Sequence, residues 1–159
     1  MQNGVKKTLV RSRQVWYDSG LHSDRTLKMT VDLGCLLALA LWSFVLNHAP
    51  AVGKIKAMGG EWAMSNRDEA PTTNIAPWIG RADRAQRNHH DNLPMLAIVI
   101  LIAHITGRHD SITAIASVVI LVSRVGHSLS YIAGITQLRP LCYLLSIIGM
   151  FTIVKQIVF

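Results

Sequence analysis

The segment ITAIASVVILVSRVGHSLSYIAGI, residues 112–135, decides the fold class, because it is a long apolar run with an arginine and a histidine near its centre. It is longer than the roughly 20 residues that an α-helix needs to cross the hydrocarbon core of a bilayer. Arg124, His127 and Tyr131 follow one another at spacings of three and four residues and therefore share one helix face. Ionisable residues inside a membrane span are costly and by default indicate a functional site. The segment predicts a transmembrane helix with a buried polar row.

Three further apolar blocks accompany this segment, at residues 31–46, 93–105 and 141–159. Hydrophobic residues make up 50% of the 159 residues, charged residues 16%, and the mean hydropathy is +0.32, which is too apolar for a soluble domain of this size. The block 93–105 is too short to span a membrane alone. The polar stretch before it, residues 78–92, contains no proline, so we expect it to continue the same helix, which enters the membrane through a zone lined by protein. We therefore predict an all-α membrane protein with a four-transmembrane-helix bundle over residues 29–159, preceded by a basic, polar tail over residues 1–28.

The connections between the blocks are marked by turn-forming residues. Residues 48–77 contain three glycines and three prolines and predict a loop of about 30 residues. The connection TGRHDS, residues 106–111, is short, so we expect helices two and three to be antiparallel neighbours. Pro140 suits the first position of helix four, where its missing N–H is not needed.

The net charge of +7 raises the question of nucleic-acid binding. Most lysines and arginines flank the apolar blocks, where phospholipid head groups hold them, so we predict the lipid bilayer as the partner and no nucleic acid. Cys35 and Cys142 fall inside predicted spans and are interpreted as small core residues rather than a disulfide or a metal site. His89, His90 and His104 lack metal-ligand spacing and are interpreted as structural.

A second polar row precedes the block 93–105. Arg84, Asn88 and Asp91 fall at i, i+4 and i+7, with Arg81 one turn earlier, so the four share one helix face. We expect this row to face the row of Arg124 inside the bundle, with Asp91 pairing with one of the arginines. Arginines outnumber carboxylates there, and an uncompensated buried charge costs about 3–5 kcal/mol. An anion should complete the site: a multiply charged small molecule, a lipid head group, or acidic residues of a neighbouring subunit.

Three motifs resemble those of the MAPEG family, the membrane-associated proteins of eicosanoid and glutathione metabolism. RADRAQRNHHDNLP, residues 81–94, is similar to the family's second-helix pattern Arg-Ala-His/Gln-x-Asn-x-x-Glu followed by proline, with Asp91 in place of glutamate. RVGHSLSYIAGITQLRP, residues 124–140, resembles its third-helix pattern Arg-x-x-His-x-x-x-Tyr followed by an arginine before helix four. AMSNRDEAP, residues 63–71, is similar to the Gly-Asn-Arg-Asp segment of bacterial members.

The resemblance implies a four-helix protomer, a homotrimer, and glutathione as a co-substrate bound at the subunit interfaces. Carried over position by position, it implies that glutathione is held by Arg81, Arg84, Gln86, Asn88, Asp91, Arg124, His127 and Tyr131. Arg139 would lie near the glutathione sulfur as the catalytic residue. A thiol with a pKa of about 8.5 is mostly protonated at neutral pH, and a fixed cation beside it favours the nucleophilic thiolate.

The predicted function is therefore that of a glutathione transferase or peroxidase acting on lipophilic electrophiles that arrive from the bilayer. The protein would be a multi-pass integral membrane protein, of the bacterial inner membrane if the likeness to bacterial members holds. Two alternatives stay open. One is a non-catalytic protein that binds an anionic lipid or metabolite through the same arginines. The other is a small proton-relaying transporter, which four short spans without a pair of broken helices disfavour.

Overall fold

The computed structural model of the protein describes residues 29–68 and 75–159. These residues form five helices, named here in chain order α1 (Val31–Met58), α2 (Gly60–Met64), α3 (Pro77–Ile105), α4 (Ser111–Ala133) and α5 (Leu138–Val158). The two described ranges contain no β-strand. The predicted all-α fold is confirmed, whereas the predicted tail over residues 1–28 lies outside the described residues.

Helix α1 continues well beyond its apolar block. Its 28 residues begin after the N-cap Thr30 and run through Pro50 to Met58. The prediction of a loop from residue 48 was therefore wrong in its first part, because a proline can be retained inside a helix that packing stabilises. Gly53 serves close packing rather than a turn. A Cβ atom there would lie 2.9 Å from the ring of Trp78 and 3.0 Å from the side chain of Ile79.

Helices α3 and α4 form the centre of the bundle. Helix α4 packs against α1, α3 and α5, and α3 packs against α1, α4 and α5, whereas α1 and α5 do not meet within the described residues. Each of the four long helices contributes to one apolar core, formed by Leu39, Leu96, Ile100, Ala103, Ala116, Ile120, Met150 and Ile153. This arrangement places the polar rows predicted on the second and third helices on the two central elements of the fold.

Local hydrogen bonds set the ends of α4. Asp110 caps its N-terminus by accepting hydrogen bonds from the backbone N–H groups of Ile112, at 2.8 Å, and Thr113, at 2.9 Å, and the Thr113 hydroxyl completes the capping box. Gly134 ends the helix in the left-handed conformation, with φ at 83°. Helix α5 begins at Leu138, so Pro140 is its third residue and not its first as predicted. This position still belongs to the first turn, where backbone N–H groups have no partner within the helix.

Three of the helices, α1, α4 and α5, are long and apolar enough to cross a membrane. Helix α3 does not qualify by composition, because charged and polar residues fill its first half. Large apolar side chains point away from the bundle at more than half exposure, including Leu41, Phe44, Ile115, Val122 and Phe151. Such a surface suits lipid rather than water. The chain is an integral membrane protein.

Candidate binding site

The guanidinium group of Arg124 lies at the centre of the bundle, and this residue is only 1% exposed. Its Nη2 atom donates to the Asn88 backbone carbonyl at 2.8 Å and to the Asn88 side-chain oxygen at 3.1 Å. Its Nε and Nη1 atoms are buried and have no hydrogen-bond partner within residues 29–68 and 75–159. The rows of α3 and α4 thus meet at Asn88 and Arg124, and two donors of a buried cation remain unused.

No carboxylate of the described residues balances this charge. The one ion pair in the described ranges joins Lys54 and Asp83, with 2.7 Å between nitrogen and oxygen, and links α1 to α3 away from Arg124. Asp91, expected to pair with an arginine, is exposed on α3 and forms no such pair there. A buried guanidinium without a counter-charge strongly favours an anion as its further partner.

A cluster of rings and cations forms the outer part of the site around Tyr131. The guanidinium carbon of Arg139 lies 4.5 Å from the centre of the Tyr131 ring, and that of Arg84 lies 6.0 Å from it. The ring of His127 approaches Tyr131 with 5.8 Å between the ring centres, and Tyr143 lies 6.3 Å from His127. Both arginines are within the range of cation–π attraction, so the Tyr131 ring attracts two positive groups.

A cavity of about 340 Å³ opens at this cluster. Its volume lies at the lower end of the range of about 300–1,000 Å³ for small-molecule sites. The lining residues come from α3, α4, α5 and the α4–α5 connection, namely Asn88, His127, Tyr131, Thr136, Arg139, Pro140 and Tyr143. Sequence reasoning missed three of them, including Pro140, which it interpreted only as the start of a helix. Tyr143 follows Arg139 by one helical turn and was detectable from that spacing, whereas Thr136 has no pattern that marks it.

Two predicted binding residues form other contacts in the single chain, and two more are exposed. Arg81 donates from Nε to the backbone carbonyl of Ile132 at 2.8 Å and so occupies the C-terminal end of α4. Gln86 donates to the side-chain oxygen of Asn47 on α1 at 2.6 Å, on the side of α3 that faces α1. Asp91 is exposed, as is Arg84 apart from its contact with Tyr131. The site in one chain therefore consists mainly of Asn88, Arg124, His127, Tyr131 and Arg139 with their neighbours.

A second polar cavity, of about 500 Å³, lies on the other side of α3, between α1 and the segment around α2. Three of its charged groups, Lys54, Asp83 and Arg67, are already engaged. Lys54 pairs with Asp83, and the Arg67 guanidinium donates to the Ala63 carbonyl at 3.0 Å while lying 5.3 Å from the centre of the Trp62 ring. This cavity lacks the unpartnered buried cation that distinguishes the site at Arg124.

The fold and the site define an integral membrane protein of helical-bundle type with a cationic pocket between its central helices. The chain belongs to the MAPEG family, since the sequence model of that family matches residues 32–159. It is thus a membrane protein of the family of glutathione and eicosanoid metabolism. No curated protein matches the sequence.

Proposed function

We propose that the protein is a glutathione-dependent transferase or peroxidase whose four long helices all cross the membrane. The observation that carries this proposal is the buried guanidinium of Arg124, with two unused donors behind a cavity that Arg139 borders. Glutathione has two carboxylates, one amine and a thiol, so it offers both anions for the arginines and a sulfur to activate. Guanidinium groups bind carboxylates through two hydrogen bonds in one plane. The arginines therefore favour a ligand that carries carboxylates over an anion that offers only a point charge.

In this proposal the residues of the site have distinct roles. Arg124 and Asn88 hold a carboxylate of the ligand at the inner end of the cavity. Arg139 lies at its outer end against Tyr131, where a fixed positive charge stabilises the thiolate of bound glutathione over the thiol. A lipophilic electrophile then reaches the sulfur from the bilayer, and no nucleophile of the protein is required.

Self-association completes this proposal. Arg84, Arg87 and Asp91 lie exposed on α3, the one long helix whose first half is polar. If α3 spans the membrane, lipid cannot satisfy these groups, because charged side chains at such positions face protein or a water-filled cavity. We propose that further copies of the chain cover them in a homotrimer, and that the assembly is multi-pass and resides in the bacterial inner membrane.

The second candidate function is a non-catalytic binding protein for an anionic lipid or metabolite. It is favoured by the exposed apolar surface around the bundle, which keeps lipid next to the site. The same arginines would bind the anion, so binding alone does not separate the two candidates. Thiolate formation does, since only the enzyme requires it.

The deciding experiment uses the purified protein in lipid nanodiscs with millimolar glutathione. We expect ultraviolet absorbance of the bound thiolate and conjugation of a generic electrophile, both reduced at least tenfold in Arg139→Ala. Arg108→Ala, which removes an exposed arginine in the α3–α4 connection, is the matched control and should behave as the wild type. Absence of glutathione binding to the wild type would contradict the proposal. Binding without thiolate or conjugation would favour the second candidate.

A further inference from the structure

His89 is completely buried on α3, although the family pattern assigns no role to its position. Its Nε2 atom lies 3.2 Å from the backbone carbonyl oxygen of Leu39 on α1. A carbonyl oxygen only accepts hydrogen bonds, so Nε2 is the nitrogen that carries the proton, and Nδ1 of the neutral ring is a hydrogen-bond acceptor. Nδ1 is buried and has no partner among the described residues.

Arg124, in contrast, has hydrogen-bond donors that lack an acceptor. Its Nε and Nη1 atoms are donors without an acceptor in the described part of the chain, while its Nη2 atom is held by Asn88, the residue next to His89. An acceptor without a donor and donors without an acceptor are thus buried beside the same residue, Asn88, which precedes His89 in α3 and accepts from Arg124. Buried polar groups are almost always paired.

We propose that His89 is a positioning residue, whose Nδ1 accepts a hydrogen bond from one buried water that in turn accepts from the Arg124 guanidinium. Such a water would have enough polar partners, since buried waters make about three hydrogen bonds to otherwise unsatisfied groups. Together with Asn88, His89 fixes the plane of the guanidinium. Because the acceptor is uncharged, it orients the guanidinium without neutralising it, so the positive charge stays available to an anion in the cavity. A carboxylate in its place would cancel that charge.

Two substitutions separate this role from simple packing. The amide nitrogen of His89→Gln reaches the position of Nε2 and retains the bond to Leu39, whereas its amide oxygen lies farther from Cβ than Nδ1 does and is displaced from the position of that acceptor. The side chain of His89→Asn is shorter and places its oxygen near the position of Nδ1, so it retains the acceptor and loses the bond to Leu39. We expect His89→Gln to weaken glutathione binding about tenfold in calorimetry, with His89→Asn within about threefold of the wild type.

A second readout does not depend on glutathione. Nitrogen-15 NMR of histidine-labelled protein in nanodiscs should show His89 protonated at Nε2, with an Nδ1 resonance that moves when Arg124 is replaced by methionine. The substitution Arg108→Met, outside the site, should leave that resonance unchanged. This inference rests on the proposed function for its binding readout only. If the wild type binds no glutathione, the proposed function fails while the NMR result alone decides the role of His89.

The outcomes are distinct. Loss of binding in His89→Gln with retention in His89→Asn supports the proposal, and so does a shift of the Nδ1 resonance on Arg124→Met. The reverse order of the two variants would overturn it in favour of the bond to Leu39. Wild-type binding in both variants would also overturn it. If both variants lose binding equally, an Nδ1 resonance that is insensitive to Arg124→Met overturns it and a sensitive one supports it.

Discussion

The proposed role of Arg124 in ligand binding can be tested separately from its effect on stability, because the buried guanidinium has no counter-charge among the described residues. Replacing even a buried ion pair with apolar side chains of similar volume is often neutral or stabilising, and a buried charge without a counter-charge is less stabilising still. We therefore expect Arg124→Met to leave the thermal unfolding temperature in nanodiscs unchanged or raised. The same substitution should weaken glutathione binding by about tenfold or more, because a hydrogen bond to a charged group contributes about 1.5–3 kcal/mol. Calorimetry and a thermal unfolding assay measure the two effects.

The control for this prediction is Arg108→Met, which removes a guanidinium group at an exposed position. It should alter neither the unfolding temperature nor glutathione binding. A strongly destabilised Arg124→Met protein would mean that the guanidinium holds the helices together, which contradicts its role as a ligand group.

At this scale, spacing in the sequence placed Arg124, His127 and Tyr131 on one helix face, because a helical period is a local property. Which residue each of them touches was not predictable. The partner of Arg124 turned out to be Asn88 and not Asp91, since only the asparagine faces α4. The bond from His89 to a backbone carbonyl also escaped prediction, because every residue has a carbonyl and no sequence pattern marks the one that accepts.

At the scale of elements, the close approach of α4 and α5 depends on Gly149. A Cβ atom at Gly149 would lie 2.8 Å from the Ile120 side chain and 3.1 Å from the Ala116 backbone oxygen. Small residues at helix contacts are typical of membrane bundles, where tight packing replaces the hydrophobic effect. We expect Gly149→Ala to lower the free energy of unfolding by about 1–3 kcal/mol, as overpacking does. Reversible unfolding in mild detergent measures the change.

Gly34→Ala is the matched control, since a Cβ atom at Gly34 in α1 would have no neighbour within 4 Å. Alanine is the better helix former, so this variant should be as stable as the wild type or more stable by up to about 1 kcal/mol. Equal effects of the two substitutions would mean that the contact between α4 and α5 does not restrict the size of the residue at position 149.

The apolar blocks predicted the existence of the four long helices, and their ends were harder to predict. The extension of α1 through Pro50 was missed because proline is read locally as a helix breaker, whereas packing of Gly53 against Trp78 and Ile79 stabilises the continued helix. The start of α5 was misplaced by two residues for a related reason. Proline is tolerated throughout the first helical turn, so its presence does not fix the first residue.

For the whole molecule, a single chain leaves the face of α3 that carries Arg84, Arg87 and Asp91 uncovered. The face continues one turn further to Met95 and then to Ile98, which are also exposed. A polar half followed by an apolar half on one face matches a contact between copies that extends from the head-group region into the hydrocarbon core. Such a contact would bring a neighbouring copy next to Arg84 and thus close to the candidate site.

Cysteine cross-linking tests this contact. In Met95→Cys, copies that meet along α3 bring the introduced thiols near one another, so mild oxidation in native membranes should yield disulfide-linked dimers on denaturing gels. Ile115→Cys on α4, exposed at 66%, is the matched control and should remain monomeric if that face meets lipid. The native cysteines Cys35 and Cys142 are buried and should contribute little to the background. Equal cross-linking at both positions, or at neither, would contradict a specific interface along α3. The exposed charges of Arg87 and Asp91 would then require an aqueous cavity or a different partner to stabilise them in the membrane.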